Sequence, residues 1–136
     1  MNWRLVFELS LFGLAMGIAT VFVIPSNVEP VFWLAIFIVC AYIIAARCSR
    51  LHFVHGLMVG IVNSIWITAS HVLLFESYVA RHPQEASMMK SMPLPDAPRV
   101  MMMLTGPVIG VISGIVLGLF ALIASWLVRR RAALAR

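Results

Sequence analysis

The side chains in this chain best suited to holding a ligand are soft ones. Nine methionines are present, and six of them, Met88, Met89, Met92, Met101, Met102 and Met103, crowd into one short stretch. Thioethers and imidazoles suit Cu(I), and His82 lies in the same stretch. Met88 and Met92 are four apart, so they share a face if Pro83 opens a short helix running through Met92. Met88, Met89, Met92 and His82 are therefore the candidate metal ligands. The competing explanation makes the methionines the apolar side of an interfacial helix and the first turn of the span that follows. Spacing alone prescribes no ligand geometry, so no resident metal and no other cofactor is expected.

The remaining histidines fit metal or haem chemistry poorly. His52 and His55 are three apart and can share a face near a membrane surface, or simply meet head groups. His55 and His71 differ by about 160° around a helix and cannot ligate one ion together. Haem held by two histidines would need a ligand from a second span, and no other span carries one. Cys40 and Cys48 lie about two helical turns apart, too far to bridge, and no CxxC is present.

Carboxylates are few. Glu8 stands four residues from Arg4, the spacing of an ion pair on one helix face. Without that pair it would be an intramembrane carboxyl and a candidate proton site. Glu76 has Arg81 available nearby. No Ser/His/Asp order, HExxH, phosphate loop or paired intramembrane carboxylates occur, so no catalytic residue is assigned and enzymatic activity is not expected.

Two further patterns concern packing. Gly106, Gly110, Gly114 and Gly118 recur every four residues, with Thr105 and Ser113 beside them, and Gly13 and Gly17 repeat the pattern near the amino end with Ser10 nearby. Small residues at this spacing let a second backbone approach closely. They could form a dimer seam or line a ligand path. The simpler expectation is that the first and last helices of one bundle pack on each other through them. Separately, His52, Gly56, Gly60, Asn63, Ser64, Ser70, His71 and Tyr78 fall on one helix face roughly 120° wide. Polar side chains facing lipid are costly, so this face should turn inward. Asn63, Ser64, Ser70, His71 and Tyr78 are then either the wall of a polar cavity or a set of interhelical hydrogen bonds.

These residues need elements to hold them, and composition says which. Of 136 residues 62% are apolar and 11% charged, against about 25% charged in soluble proteins. A lipid solvent leaves backbone groups to be satisfied internally, which requires helices here, because the apolar runs are continuous rather than alternating. The expected fold is an all-α membrane protein, an antiparallel bundle of four transmembrane helices forming a single domain over 1–136. The predicted helices cover 5–24, 29–46, 51–80 and 100–128, with a polar outer loop over 81–99. The third is longer than a bilayer is thick and should tilt or project. Pro30 opens the second, and Pro107 should bend the last. A cleaved signal peptide is the alternative for the first run, but the run is long, holds Glu8, and has no clear cleavage site.

Arg4, Arg47, Arg50, Arg129, Arg130, Arg131 and Arg136 fall on one side and only Arg81, Lys90 and Arg99 on the other. This predicts cytoplasmic amino and carboxyl ends. The net charge of +5 belongs to helix ends and lipid head groups, so nucleic acid is not an expected partner.

The motif Phe53-Val54-His55-Gly56 entering a long third helix, the polar outer loop and Gly106-Pro107 leading a glycine-rich last helix resemble small bacterial four-helix inner-membrane proteins of a domain-of-unknown-function family. That resemblance implies a multi-pass protein of the bacterial inner (plasma) membrane and transfers no activity or site residue. Three functions fit the residues. The first is a non-enzymatic homo-oligomer or an accessory subunit of a membrane assembly, with the bilayer and a membrane protein as partners. The second is a small-molecule or ion binding or transport module using the polar face of the third helix. The third is copper handling through the outer methionines.

Overall fold

The computed structural model describes residues 1–134, with side chains through Arg130. Among the basic residues counted for topology, Arg136 lies outside the described residues, as does the side chain of Arg131. The described residues form helices and turns without a strand. In order they are α1 (Trp3–Phe22), α2 (Glu29–Arg47), α3 (His52–Leu73), α4 (Phe75–Arg81), α5 (Pro83–Met89) and α6 (Pro98–Leu134). Four of them, α1, α2, α3 and α6, are long and apolar enough to cross a membrane.

Local chemistry places the ends. Asn2 caps α1 by accepting the Leu5 amide at 3.1 Å, the ordinary use of a short polar side chain before a helix. Pro30 lies in the first turn of α2. The long third helix expected over 51–80 is interrupted at Leu74, which separates α3 from α4. The expected loop over 81–99 contains a two-turn helix, α5, opened by Pro83 and ended at Met89, short of Met92. The last helix starts at Pro98, two residues before the expected 100, and Pro107 lies inside it.

The spans are arranged around α3. α1 runs parallel to it, with Asn2 near His55 and Thr20 near His71. α6 runs antiparallel, with Gly118 beside Gly56 and Gly106 beside Thr68. α2 attaches on the far side of α6, where Phe37 meets Phe120 edge-on at 6.3 Å. One apolar cluster joins the spans near the end that carries Arg4, Arg47 and Arg129, hereafter the basic end; it includes Val6, Cys40, Ile44, Val59, Leu117 and Ala121. Only Cys40, Ala41, Ile44 and Ala45 of α2 are fully buried; in its first half Ile36 and Phe37 are half-buried against the core and the remaining side chains are largely exposed. Because the bilayer is the solvent, exposed Phe32, Leu34 and Ile38 are matched to hydrocarbon rather than misplaced.

Candidate functional site

α3 is the span on which the chemistry-bearing residues converge, because it offers small or polar side chains on two adjoining faces. The first face meets α6. A Cβ added at Gly60 would collide with the backbone of Gly114, and one at Gly56 would come within 2.6 Å of the Gly118 Cα. A Cβ on Gly114 would lie 2.6 Å from the Leu57 carbonyl oxygen, and Gly110 and Gly106 sit directly against the hydroxyls of Ser64 and Thr68. Glycines on both helices thus let the two backbones touch, the arrangement that supports helix association where no hydrophobic force distinguishes protein from lipid. Ser64 sends its hydroxyl back to the Ile61 carbonyl at 2.7 Å.

The second face meets α1, and here side chains make the join. Asn63, 3% exposed, accepts the Gly13 amide at 3.2 Å. Trp66 donates to the Ser10 hydroxyl at 3.2 Å. Thr20 and His71 Nε2 are 2.9 Å apart, while Thr20 also donates back to the Met16 carbonyl at 2.9 Å. At the basic end the Asn2 amide donates to His55 Nε2 at 2.9 Å. That nitrogen is the lone-pair acceptor, because His55 Nδ1 lies 2.8 Å from the Leu51 carbonyl, which can only accept. Gly13 and Gly17 sit against Asn63, Ile67 and Ser70.

The two glycine rows were expected to pack on each other. Each instead faces α3, since that helix alone presents small residues and hydroxyls on both flanks. The single polar face likewise divides: Ser64 goes to α6, while Asn63, Ser70 and His71 go to α1. Among the described residues, the buried polar side-chain atoms without a partner are the Asn63 amide nitrogen, His82 Nε2 and one Glu85 carboxylate oxygen.

Tyr78 reaches the rest of its predicted set only because the helix breaks. Seven residues of continuous helix would separate it from His71 by about 10.5 Å along the axis. After the interruption at Leu74 the His71 and Tyr78 rings stack at 4.2 Å, and His82 stacks on Tyr78 at 4.5 Å. His82 is 2% exposed, and its Nδ1 donates to the Tyr78 carbonyl at 3.0 Å. Burial, with the charges of Glu85 and Glu29 nearby, pushes the Tyr78 phenol up to about 12. The sequence grouping of His82 with the methionines is thus crossed by a different one, an aromatic stack. Met88 is exposed, Met89 and Met92 are half-buried, and no group of three or more His, Cys, Asp or Glu positioned for a metal occurs among the described residues.

The ion pairs sit at the two ends. Arg4 holds Glu8 at 2.8 Å, with Arg47 at 3.8 Å from its other oxygen. Glu76, expected near Arg81, pairs with Arg99 at 3.1 Å instead. The Arg99 guanidinium also lies 5.0 Å over the Phe75 ring, while Arg81 donates to the Phe22 carbonyl. Ser10, Thr20 and Trp66 were not among the singled-out cavity residues. The signal was present for two of them: Ser10, Gly13, Gly17 and Thr20 are spaced three, four and three apart on one face of α1.

Comparison of the chain with protein-family models, with curated proteins and with solved structures finds no match. What stands of the family resemblance is its layout, four long apolar helices of a small multi-pass membrane protein.

Proposed function

We propose that this chain is a non-enzymatic membrane subunit, a four-span body that acts by packing, either with further copies of itself or as an accessory part of a larger assembly. The observation that carries the reading is how the polar side chains of α3 are used. Asn63, Trp66 and His71 each bond a residue of α1, which makes them mortar between helices. Interhelical bonds of this kind contribute only about 0.6 kcal/mol each, so several are combined with a glycine seam to hold one bundle. In this reading a partner meets the exposed side of the first half of α2, with Phe32, Leu34 and Ile38. The basic ends of the spans put both termini on the cytoplasmic side of a bacterial inner membrane in this reading.

A photo-crosslinking amino acid at Leu34 or Ile38, with Ile112 on α6 as a second position, tests the proposal in native membranes. Protein adducts concentrated at the α2 positions, identified by mass, are expected. Adducts to lipid alone at all three positions would remove the packing role. A second reading, small-molecule or ion binding on the polar face of α3, draws on the unpartnered Asn63 amide nitrogen. It requires an additional mass on the purified protein that Asn63→Leu abolishes without unfolding the bundle.

A further inference from the structure

The turn between α2 and α3 borders an open cavity of about 170 Å³ at the basic end, lined by Asn2, Arg47, Ser49, Arg50, Leu51 and His55 among others. Its floor is rigid. His55 is 3% exposed, and both of its ring nitrogens are occupied, one by the Leu51 carbonyl and one by the Asn2 amide. Held by both bonds, the ring ties the start of α1 to the start of α3.

The rim is cationic and incompletely matched. Arg47 has only the longer contact to Glu8, 3.8 Å, and that carboxylate already belongs to Arg4 at 2.8 Å. Arg50 forms no ion pair among the described residues. Ser49 supplies a hydroxyl beside them. α3 starts from the same turn without a side-chain cap, so its first amides keep donors free at the positive end of a helix dipole. Planar guanidinium pairs with a hydroxyl match the tetrahedral oxygens of one ligand class above others. The cavity also lies where α1 begins, α2 ends and α3 begins, the depth at which a bilayer carries its head groups.

We propose that this cavity is a binding site for a phosphate group, held by Arg47, Arg50 and Ser49 over the His55 floor. Two sources present that chemistry at a membrane face, the head group of an anionic phospholipid and a soluble phosphate. Either bound group would lie between three span ends and lock the turn that joins α2 to α3.

The test uses the full chain in a mild non-ionic detergent, followed by native mass spectrometry. Dioleoylphosphatidylglycerol is titrated in, dioleoylglycerol serves as the lipid lacking phosphate, and inorganic phosphate is added as competitor. One retained phosphatidylglycerol per chain is expected, with dioleoylglycerol lost. Removing one charge-assisted contact by Arg50→Gln or Arg47→Gln should weaken retention at least about tenfold. Arg130→Gln, on the same basic end but stacked on Trp126, should change it less than about twofold. Retention that survives excess inorganic phosphate assigns the site to the lipid head group; binding of inorganic phosphate itself, lost in Arg50→Gln, assigns it to a soluble phosphate. The proposal is overturned if dioleoylglycerol is retained as well as the phospholipid, if Arg130→Gln weakens binding as much as Arg50→Gln, or if neither probe is held. Arg50 is exposed, so its replacement should leave the fold intact, and the competition arm needs no variant.

Discussion

The two faces of α3 both use close glycine contacts but differ in what joins them besides. Toward α6 the chain removes side chains, so that Gly56 and Gly60 meet Gly118 and Gly114 backbone to backbone. Toward α1 Gly13 and Gly17 also come close, and Asn63, Trp66 and His71 in addition reach across to Gly13, Ser10 and Thr20. The first seam depends on shape and tolerates almost no added atom. The second depends on several modest bonds, any one of which can be lost. The difference lies in what is added to the close approach: nothing but backbone along most of α3–α6, and a row of side-chain bonds along α1–α3.

The strongest way to break that contrast is a single methyl group. Gly60→Ala places its Cβ against the backbone of Gly114, which cannot rotate away, and should destabilise the protein by about 3 kcal/mol, the upper range of overpacking. Gly17→Ala meets the Ser70 hydroxyl at 3.0 Å and the Ile67 Cα at 3.2 Å, contacts that a shift of a few tenths of an ångström relieves, and should cost less, about 1 kcal/mol. Equilibrium unfolding in mixed micelles compares the two directly; equal losses would erase the distinction between the seams.

Smaller effects sharpen the account of the polar seam. Ser10→Ala removes the acceptor of the Trp66 bond and should lower stability by about 0.6 kcal/mol. Asn63→Leu loses the bond to Gly13 but also removes a buried nitrogen with no acceptor, so its net effect should be smaller still, within about 0.6 kcal/mol of zero. At neutral pH the least visible change concerns the outer end of this seam. The Tyr78 phenol is raised from its ordinary 10.0 to about 12. A raised acid favours its neutral form in the fold, so its contribution is complete below pH 10 and is lost as pH climbs toward 12. The phenolate absorbance difference between the wild type and Tyr78→Phe should therefore develop near pH 12 in the folded protein and near pH 10 after unfolding.

The spans were legible because continuous apolar runs bounded by Pro25–Pro30 and Arg47–Arg50 have one reading in a bilayer. The start of α5 was legible from Pro83 as well. The break at Leu74 was not, since Leu73-Leu74-Phe75 contains neither Pro nor Gly and continues the apolar pattern. That break is what brings Tyr78 onto His71. Glycine spacing announced that a backbone comes close without saying whose. The partner depends on which helix is small-sided on two faces, a property of the assembled bundle. The latch between Asn2 and His55 was hidden for another reason: Asn2 precedes the apolar run, and nothing in its position names a partner on α3.

The central claim is that the Gly106–Gly118 row closes one chain rather than joining two. Gly114→Leu, followed at once by unfolding in mixed micelles and by mass in mild detergent, tests it most directly. The account predicts that the variant loses the folded monomer itself, because the added side chain meets the Leu57 carbonyl within its own bundle. A variant that keeps wild-type unfolding stability while its oligomeric mass falls would contradict it, and would return the glycine row to the surface between subunits.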